Sequence, residues 1–384
     1  MAKVIQPSFI EELRRNREHF DRFIQVILGP RQVGKTTGLL QFLEQQKGSS
    51  LYFSADDELA TQASWLTERW QEAVLESSSC LLVIDEIQKI PNWSQTIKNL
   101  WDRQKREKKT RIKLILLGSS SLELQTGLSE SLTGRFQLIQ ATHWGYEKSK
   151  ELHRMDVDEF IRFGGYPGSY ALLKQPLQWE KYIKDSIVET VIGKDILQTA
   201  NVQKPALFRQ AFVILMSYPA QDISYTKLLG QLQDSGNTDL IKRYIDLYEG
   251  AFLLKAVHKY SRKAHLSRAS SPKLVPLCGA LIDRDAFRSK EGLGRAFEAA
   301  VGAALINAGL EVAYWKESQA EIDYVVEAQG RLFAIEVKSG RVRSNKGMAR
   351  FLELYPKAVS IYVTPANVEK LLIDPRGFLE KLAH

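Results

Sequence analysis

Residues Gly29 to Thr36 read Gly-Pro-Arg-Gln-Val-Gly-Lys-Thr, which puts two glycines, a lysine and a hydroxyl at the spacing G-x-x-x-x-G-K-[ST]. Each residue type has a chemical use there. Gly29 and Gly34 let backbone N–H groups curl around phosphate oxygens at a helix N-terminus. Lys35 brings a positive charge to the β- and γ-phosphates, Thr36 offers a hydroxyl to Mg2+, and Thr37 follows as a further nucleotide-contacting residue. The apolar run Cys-Leu-Leu-Val-Ile ends in Asp85 and Glu86. Asp85 at that position holds the magnesium through water, and Glu86 orients or deprotonates the attacking water. Because Glu86 serves only the chemical step, the pair points to hydrolysis of a nucleoside triphosphate and not merely to its binding. Leu-Ile-Leu-Leu-Gly118 is followed by Ser119 and Ser120, either of which reaches a γ-phosphate or the water unless the segment is a plain Gly/Ser turn. Arg135 has no evident use within its own subunit. It either stabilises transition-state charge on a neighbouring subunit's ATP or is a surface arginine.

A second set of ionisable residues lies near the C-terminus. Glu298 falls in a helical pattern, Asp323 near the start of a strand, and Glu336-Val-Lys338 on the next strand, with twelve residues between Asp323 and Glu336. Residues two apart on a strand face the same side, so Glu336 and Lys338 point together, with Asp323 opposite. Asp323, Glu336 and the Val337 carbonyl are hard oxygen ligands for Mg2+, with Glu298 joining through water and Lys338 positioning the attacking water. The constellation resembles the PD-(D/E)xK nuclease fold, most closely its Holliday-junction-resolvase-like branch. Cleavage of DNA, nucleic-acid binding without cleavage and a protein-interaction role all stay open.

The elements that must position these residues follow from hydrophobic pattern. Five apolar runs, at 23–29, 50–56, 80–86, 112–120 and 135–141, lack strict alternation and are separated by amphipathic stretches. That is the signature of a parallel sheet buried on both faces. From about 150 to 285 the apolar spacing is three or four, which predicts helices. Ser-Tyr-Thr-Lys-Leu-Leu and Thr-Asp-Leu-Ile-Lys-Arg are expected to form the two helices of a winged helix, with Thr238 as an N-cap. Residues 291–384 return to a helix followed by four strands. The predicted fold class is α/β: a P-loop parallel-sheet core over 1–150, a helical lid and winged helix over 151–287, and a mixed α/β nuclease-like domain over 288–384.

Gly-Pro-Arg-Gln-Val-Gly-Lys-Thr-Thr, Leu-Leu-Val-Ile-Asp-Glu, Leu-Leu-Gly-Ser-Ser-Ser, Leu-Thr-Gly-Arg-Phe and the Gly-Gly-Tyr-Pro at 164–167 together resemble a family of prokaryotic AAA-type (AAA+) P-loop ATPases. In that family the ATPase is fused to a C-terminal domain of unknown function, and the resemblance covers essentially the whole chain. It implies ATP and Mg2+ as cofactors and a lid in which Gly165 and Pro167 pack near the adenine. After Ser-Ser-Pro-Lys-Leu the chain departs from the family's pattern, and whether Asp283 replaces the usual aspartate stays open.

Composition bounds the rest. The chain has 384 residues, a net charge of +8, 44% hydrophobic and 26% charged residues, which excludes a disordered chain. Three basic stretches, at 103–113, 255–275 and 341–350, make DNA the expected partner; the second holds six Lys or Arg and no acid and falls in the wing. Two cysteines without metal spacing, no signal-like N-terminus and no long apolar run give the expectation of a cytoplasmic protein. Arg135 adds the expectation of a homo-oligomer, possible as a ring. An ATP-driven enzyme on DNA and a nucleotide switch with a non-catalytic C-terminal module are the competing readings.

Overall fold

The computed structural model describes residues 6–57, 62–107, 111–118, 124, 127–128, 131–232, 237–261, 270–340 and 346–383. The chain forms two compact units, one of Met1–Thr142 with Glu189–Asn201, the other of His143–Val188 with Val202–His384. The middle and C-terminal regions therefore share one unit.

In the first unit, β1 (Ile24–Leu28), β2 (Ser50–Ser54), β3 (Leu81–Asp85), β4 (Lys113–Gly118) and β5 (Phe136–Gln140) form a parallel sheet in the order β2-β3-β4-β1-β5. This is the AAA+ P-loop arrangement expected from the sequence. The inner strands β1 and β3 are buried at every position, as their unbroken apolar runs require. The edge strands β2 and β5 are only partly covered. Helix Trp93–Glu107 buries Trp93, Ile97 and Trp101, four residues apart and hence on one face. Leu28 pairs with Gly118, and Ile84 with Leu116, so the carboxyl ends of β1, β3 and β4 come out together. In an open α/β sheet that edge is where ligands bind.

In the second unit, helices Pro205–Met216, Tyr225–Leu229 and Thr238–Gly250 accompany a three-stranded sheet, β6 (Gln221–Asp222), β7 (Leu254–Val257) and β8 (Lys273–Pro276), in the order β6-β8-β7. This is winged-helix topology. The N-cap expected at Thr238 is instead Asn237, whose side chain accepts the Leu240 N–H at 2.8 Å; the amide reaches the third N–H from one residue earlier. Tyr182–Val188 of this unit and Val191–Leu197 of the first are π-helical, a widening that apolar spacings of three and four do not distinguish from an α-helix.

The C-terminal part follows the expected order: helix Lys290–Asn307, then β9 (Val312–Glu317), β10 (Ala320–Ala328), β11 (Arg331–Val337) and β12 (Val359–Val363). β10 lies antiparallel between β9 and β11, and β11 runs parallel to β12. The pairing of β10 with β9 is interrupted between Ile322 and Val325, around Asp323. Helix Lys346–Leu354 covers this sheet through Met348 and Phe351, which pack with Trp315, Ile322 and Val325.

That helix starts so close to β10 that a Cβ on Gly347 would lie 2.0 Å from the Glu321 carbonyl oxygen. Backbone cannot yield as a side-chain tip does. Gly347→Ala is expected to destabilise the second unit by about 1–3 kcal/mol through overpacking, read as a lower midpoint in calorimetry. An unchanged midpoint would mean that the helix does not rest on β10.

Candidate functional site

The loop after β1 is built around two glycines with different duties. Gly34 takes a left-handed φ of 82° and caps helix Lys35–Glu44, a conformation glycine adopts at little cost. Gly29 is required by space: a Cβ there would fall 1.9 Å from the Ala141 carbonyl oxygen, where the chain leaves β5. Lys35 is buried, and its ammonium donates to the Gly29 and Pro30 carbonyls at 3.0 and 2.7 Å. Burial lowers its pKa to about 8.

Thr36 donates its hydroxyl to Asp85 Oδ2 at 2.7 Å, and Tyr52 on β2 donates to the same oxygen at 2.8 Å. The Glu86 N–H donates to Asp85 Oδ1 at 2.8 Å. The structure thus brings Lys35, Thr36, Asp85 and Glu86 together, with Thr37 exposed in the first helical turn. The hard oxygens of Thr36 and Asp85 fit Mg2+. Glu86 sits at a φ of 51°, strained for a non-glycine residue, and Gln88 donates to its Oε2 at 2.5 Å.

Sequence reasoning missed Arg31. Its guanidinium binds Asp195 at both oxygens, at 2.6 and 2.5 Å, and Asp195 is buried. This fork-to-fork pair ties the phosphate loop to the π-helical segment 191–197, which belongs to the same unit. A carboxylate between the apolar pairs Val191-Ile192 and Ile196-Leu197 was the available signal. Tyr52 and Gln88 gave none.

Arg135 does not stand as expected. It has a partner within its own chain: Asp102 accepts from Nε at 2.8 Å and from Nη2 at 2.9 Å. Arg135 thus has a use within its own chain, and its role at a neighbouring subunit's ATP stays an expectation, as does the oligomer. Ser119 and Ser120 lie outside the described residues.

Gly165 and Pro167 are in the second unit. Gly165 packs so tightly that a Cβ would lie 2.0 Å from the Trp144 carbonyl oxygen, and its N–H donates to Cys278 Sγ at 3.1 Å. Pro167 opens the short helix Pro167–Leu172. Both cysteines are buried and free.

Glu298, Asp323, Glu336 and Lys338 also converge in the second unit, around a residue the sequence reading had placed elsewhere. Lys273, on β8, is only 1% exposed, and its ammonium lies 2.8 Å from Glu298, 3.3 Å from Glu321 and 3.6 Å from Asp323. It also lies over the Tyr324 ring at 5.4 Å. Asp323 Oδ2 accepts the Val337 N–H at 2.8 Å, and Lys338 donates to Glu336 Oε1 at 2.5 Å. Burial pushes the carboxyls of Glu298 and Glu336 upward, and Lys273 is held firmly protonated by its acidic neighbours.

As arranged, Glu298 and Asp323 already share a cation of the chain itself, the ammonium of Lys273, and Oδ2 of Asp323 is taken by backbone. Glu336 Oε2 is buried without a hydrogen-bond partner, while Lys338 stands on its other oxygen. Among the described residues no group of three or more His, Cys, Asp or Glu side chains is placed to hold a metal ion.

Residues 21–160 match the family model described as an AAA domain. That stretch spans the phosphate loop and all five strands of the parallel sheet, so this part of the chain is similar to an AAA domain. Residues 154–277 and 293–373 match two domains of unknown function, DUF8612 and DUF4143. An uncharacterized protein of Mycobacterium tuberculosis is 27% identical over 82% of this chain and 70% of its own length. Another, of Methanocaldococcus jannaschii, is 22% identical over 98% of this chain and 87% of its own. Among solved structures, the Thermotoga maritima RuvB Holliday junction branch migration motor is 15% identical, with a TM-score of 0.33 over 68% of this chain and 94% of that one. The Aeropyrum pernix ORC1 protein in complex with DNA is 13% identical, with a TM-score of 0.30 over 76% and 93%. Similarity at that level decides nothing about this chain. Among the described residues no helix is long and apolar enough to cross a membrane.

The lowered pKa of Lys35 sets a pH dependence for nucleotide affinity. Without phosphate the ammonium titrates at about 8, whereas a bound phosphate favours the charged form and raises that value. Affinity is therefore expected to be flat well below pH 8 and to fall above it, approaching tenfold per pH unit. Equilibrium titration with ADP from pH 7 to 9 should show roughly a tenfold weakening; a flat profile would mean that Lys35 keeps its proton without phosphate.

Proposed function

We propose that this protein is an ATP hydrolase of AAA type that acts on DNA held by its winged helix, with a C-terminal domain that grips and does not cut. The hydrogen bond between the Thr36 hydroxyl and Asp85 carries the first part, since it brings two magnesium-binding oxygens, one from the first turn of helix Lys35–Glu44 and one from the end of β3, into one place. Magnesium bound there offsets the charge of the phosphates. Lys35 lies ready to exchange two loop carbonyls for phosphate oxygens. Glu86 is the general base, and its contact with Gln88 holds the carboxylate until a water is presented.

Lys35→Ala is expected to lose nucleotide binding. Glu86→Gln should bind ATP with near-normal affinity while turnover drops by about 10²–10⁴. Parallel binding and phosphate-release assays check both, and normal turnover by Glu86→Gln would assign the base elsewhere.

The DNA part is supported by the wing, though by fewer cations than its composition suggests. Of the six basic residues in 255–275, Lys273 is buried among acids and Lys255 pairs with Glu249 at 2.8 Å. Lys259, Arg262, Lys263 and Arg268 remain, the last three outside the described residues. On helix Thr238–Gly250 the exposed charges are Asp239, Lys242, Arg243 and Asp246, which cancel. The wing, and not this helix, is therefore proposed to meet the phosphate backbone, without reading sequence. Neutralising Lys259, Arg262 and Lys263 together should weaken duplex binding and lower the salt slope by up to about three. Unchanged affinity and slope would remove the wing from the DNA path. Failure of DNA to stimulate the ATPase would favour a nucleotide switch acting on a protein.

A further inference from the structure

The position of Lys273 has a consequence for the whole second unit. This lysine does not belong to the C-terminal domain whose acids it neutralises; it comes from β8 of the winged-helix sheet. Three other contacts join the same two parts. The chain leaving β7 pairs with β9: the Tyr314 N–H donates to the His258 carbonyl at 3.1 Å, and the Tyr260 N–H to the Tyr314 carbonyl at 2.6 Å. The Tyr314 hydroxyl donates to the Ser271 carbonyl at 2.7 Å, just before β8. Lys316 on β9 binds Asp222 on β6 at 2.6 Å. All three strands of the winged-helix sheet, or the chain leading into or out of them, are thus held by the C-terminal domain, and the ammonium of Lys273 is the buried centre of the joint.

We propose that Lys273 takes the place of a divalent metal in this acid cluster, so that the C-terminal domain clamps the winged helix and cleaves no phosphodiester. An ammonium supplies the positive charge that Glu298 and Asp323 need in order to be buried together. It provides three N–H donors but neither Lewis acidity nor a bound water of lowered pKa, which metal-dependent hydrolysis requires. A covalently tethered cation is also always present, so the clamp closes on folding without any ion from solution. The inference stands apart from the ATPase reading, since Lys35 and Asp85 belong to the other unit.

Manganese binding to the full chain, freed of metal and nucleotide, tests the proposal. Mn2+ is titrated by electron paramagnetic resonance, with thermal midpoints measured alongside. The wild-type protein should bind no Mn2+ that Asp323→Asn abolishes. Lys273→Met should lower the midpoint by roughly 5–10 °C, because it leaves the buried carboxylates without their partner. Mn2+ at millimolar concentration should then restore at least half of that loss, and Asp323→Asn in the same background should prevent the rescue. Asp323-dependent Mn2+ binding by the wild-type protein would overturn the proposal, and that measurement needs no variant other than Asp323→Asn. A Lys273→Met protein as stable as the wild type would overturn it as well.

Discussion

A buried ion must bring its counter-charge or hydrogen-bond partners with it, and both units of this protein are arranged around that requirement. In the first unit Lys35 is enclosed by loop carbonyls, Arg31 by Asp195, and Asp85 by a threonine hydroxyl, a tyrosine hydroxyl and a backbone N–H. In the second, Lys273 holds acids from a helix and a strand against a sheet that precedes them in the chain. Removing either member of such a set leaves the other desolvated and unpaired, which is far more costly than never having buried the pair.

The two centres differ in what they leave open. Around Lys35 the partners are neutral carbonyls, so the cation keeps its charge available, and a phosphate is the better partner when it arrives. Desolvation without a carboxylate in hydrogen bond lowers the pKa of Lys35, while at Lys273 the surrounding acids outweigh the same desolvation and raise it. Around Lys273 the partners are anions held at 2.8 to 3.6 Å, and the charge is already spent on them. One arrangement is suited to a ligand that comes and goes, the other to a permanent joint.

What was legible in the sequence is what short-range pattern encodes. The phosphate loop, the acid pair at the end of β3, the five strands of the first sheet and the helix and four strands of the last domain each occupy a continuous segment with its own periodicity. The winged helix was legible for the same reason, apart from a cap displaced by one residue. Asp195, Asp102 and Lys273 were not legible, because each acts on a partner 164, 33 or 25 residues away in the chain. Charge counting went wrong in the same places. Arg135 seemed to lack a partner and Lys273 seemed to be a surface cation only because spacing is silent about contacts between elements.

The same long-range pairing bears on how the second unit can work. A winged helix that swings free to engage a ligand would have to withdraw Lys273 from Glu298 and Asp323, open the pairing of the wing's base with β9 and break the Lys316–Asp222 ion pair. Breaking a buried pair alone costs about 3–5 kcal/mol, enough to hold the separated state well below one part in a hundred. Any rearrangement driven by nucleotide must therefore carry the winged helix and the C-terminal domain together.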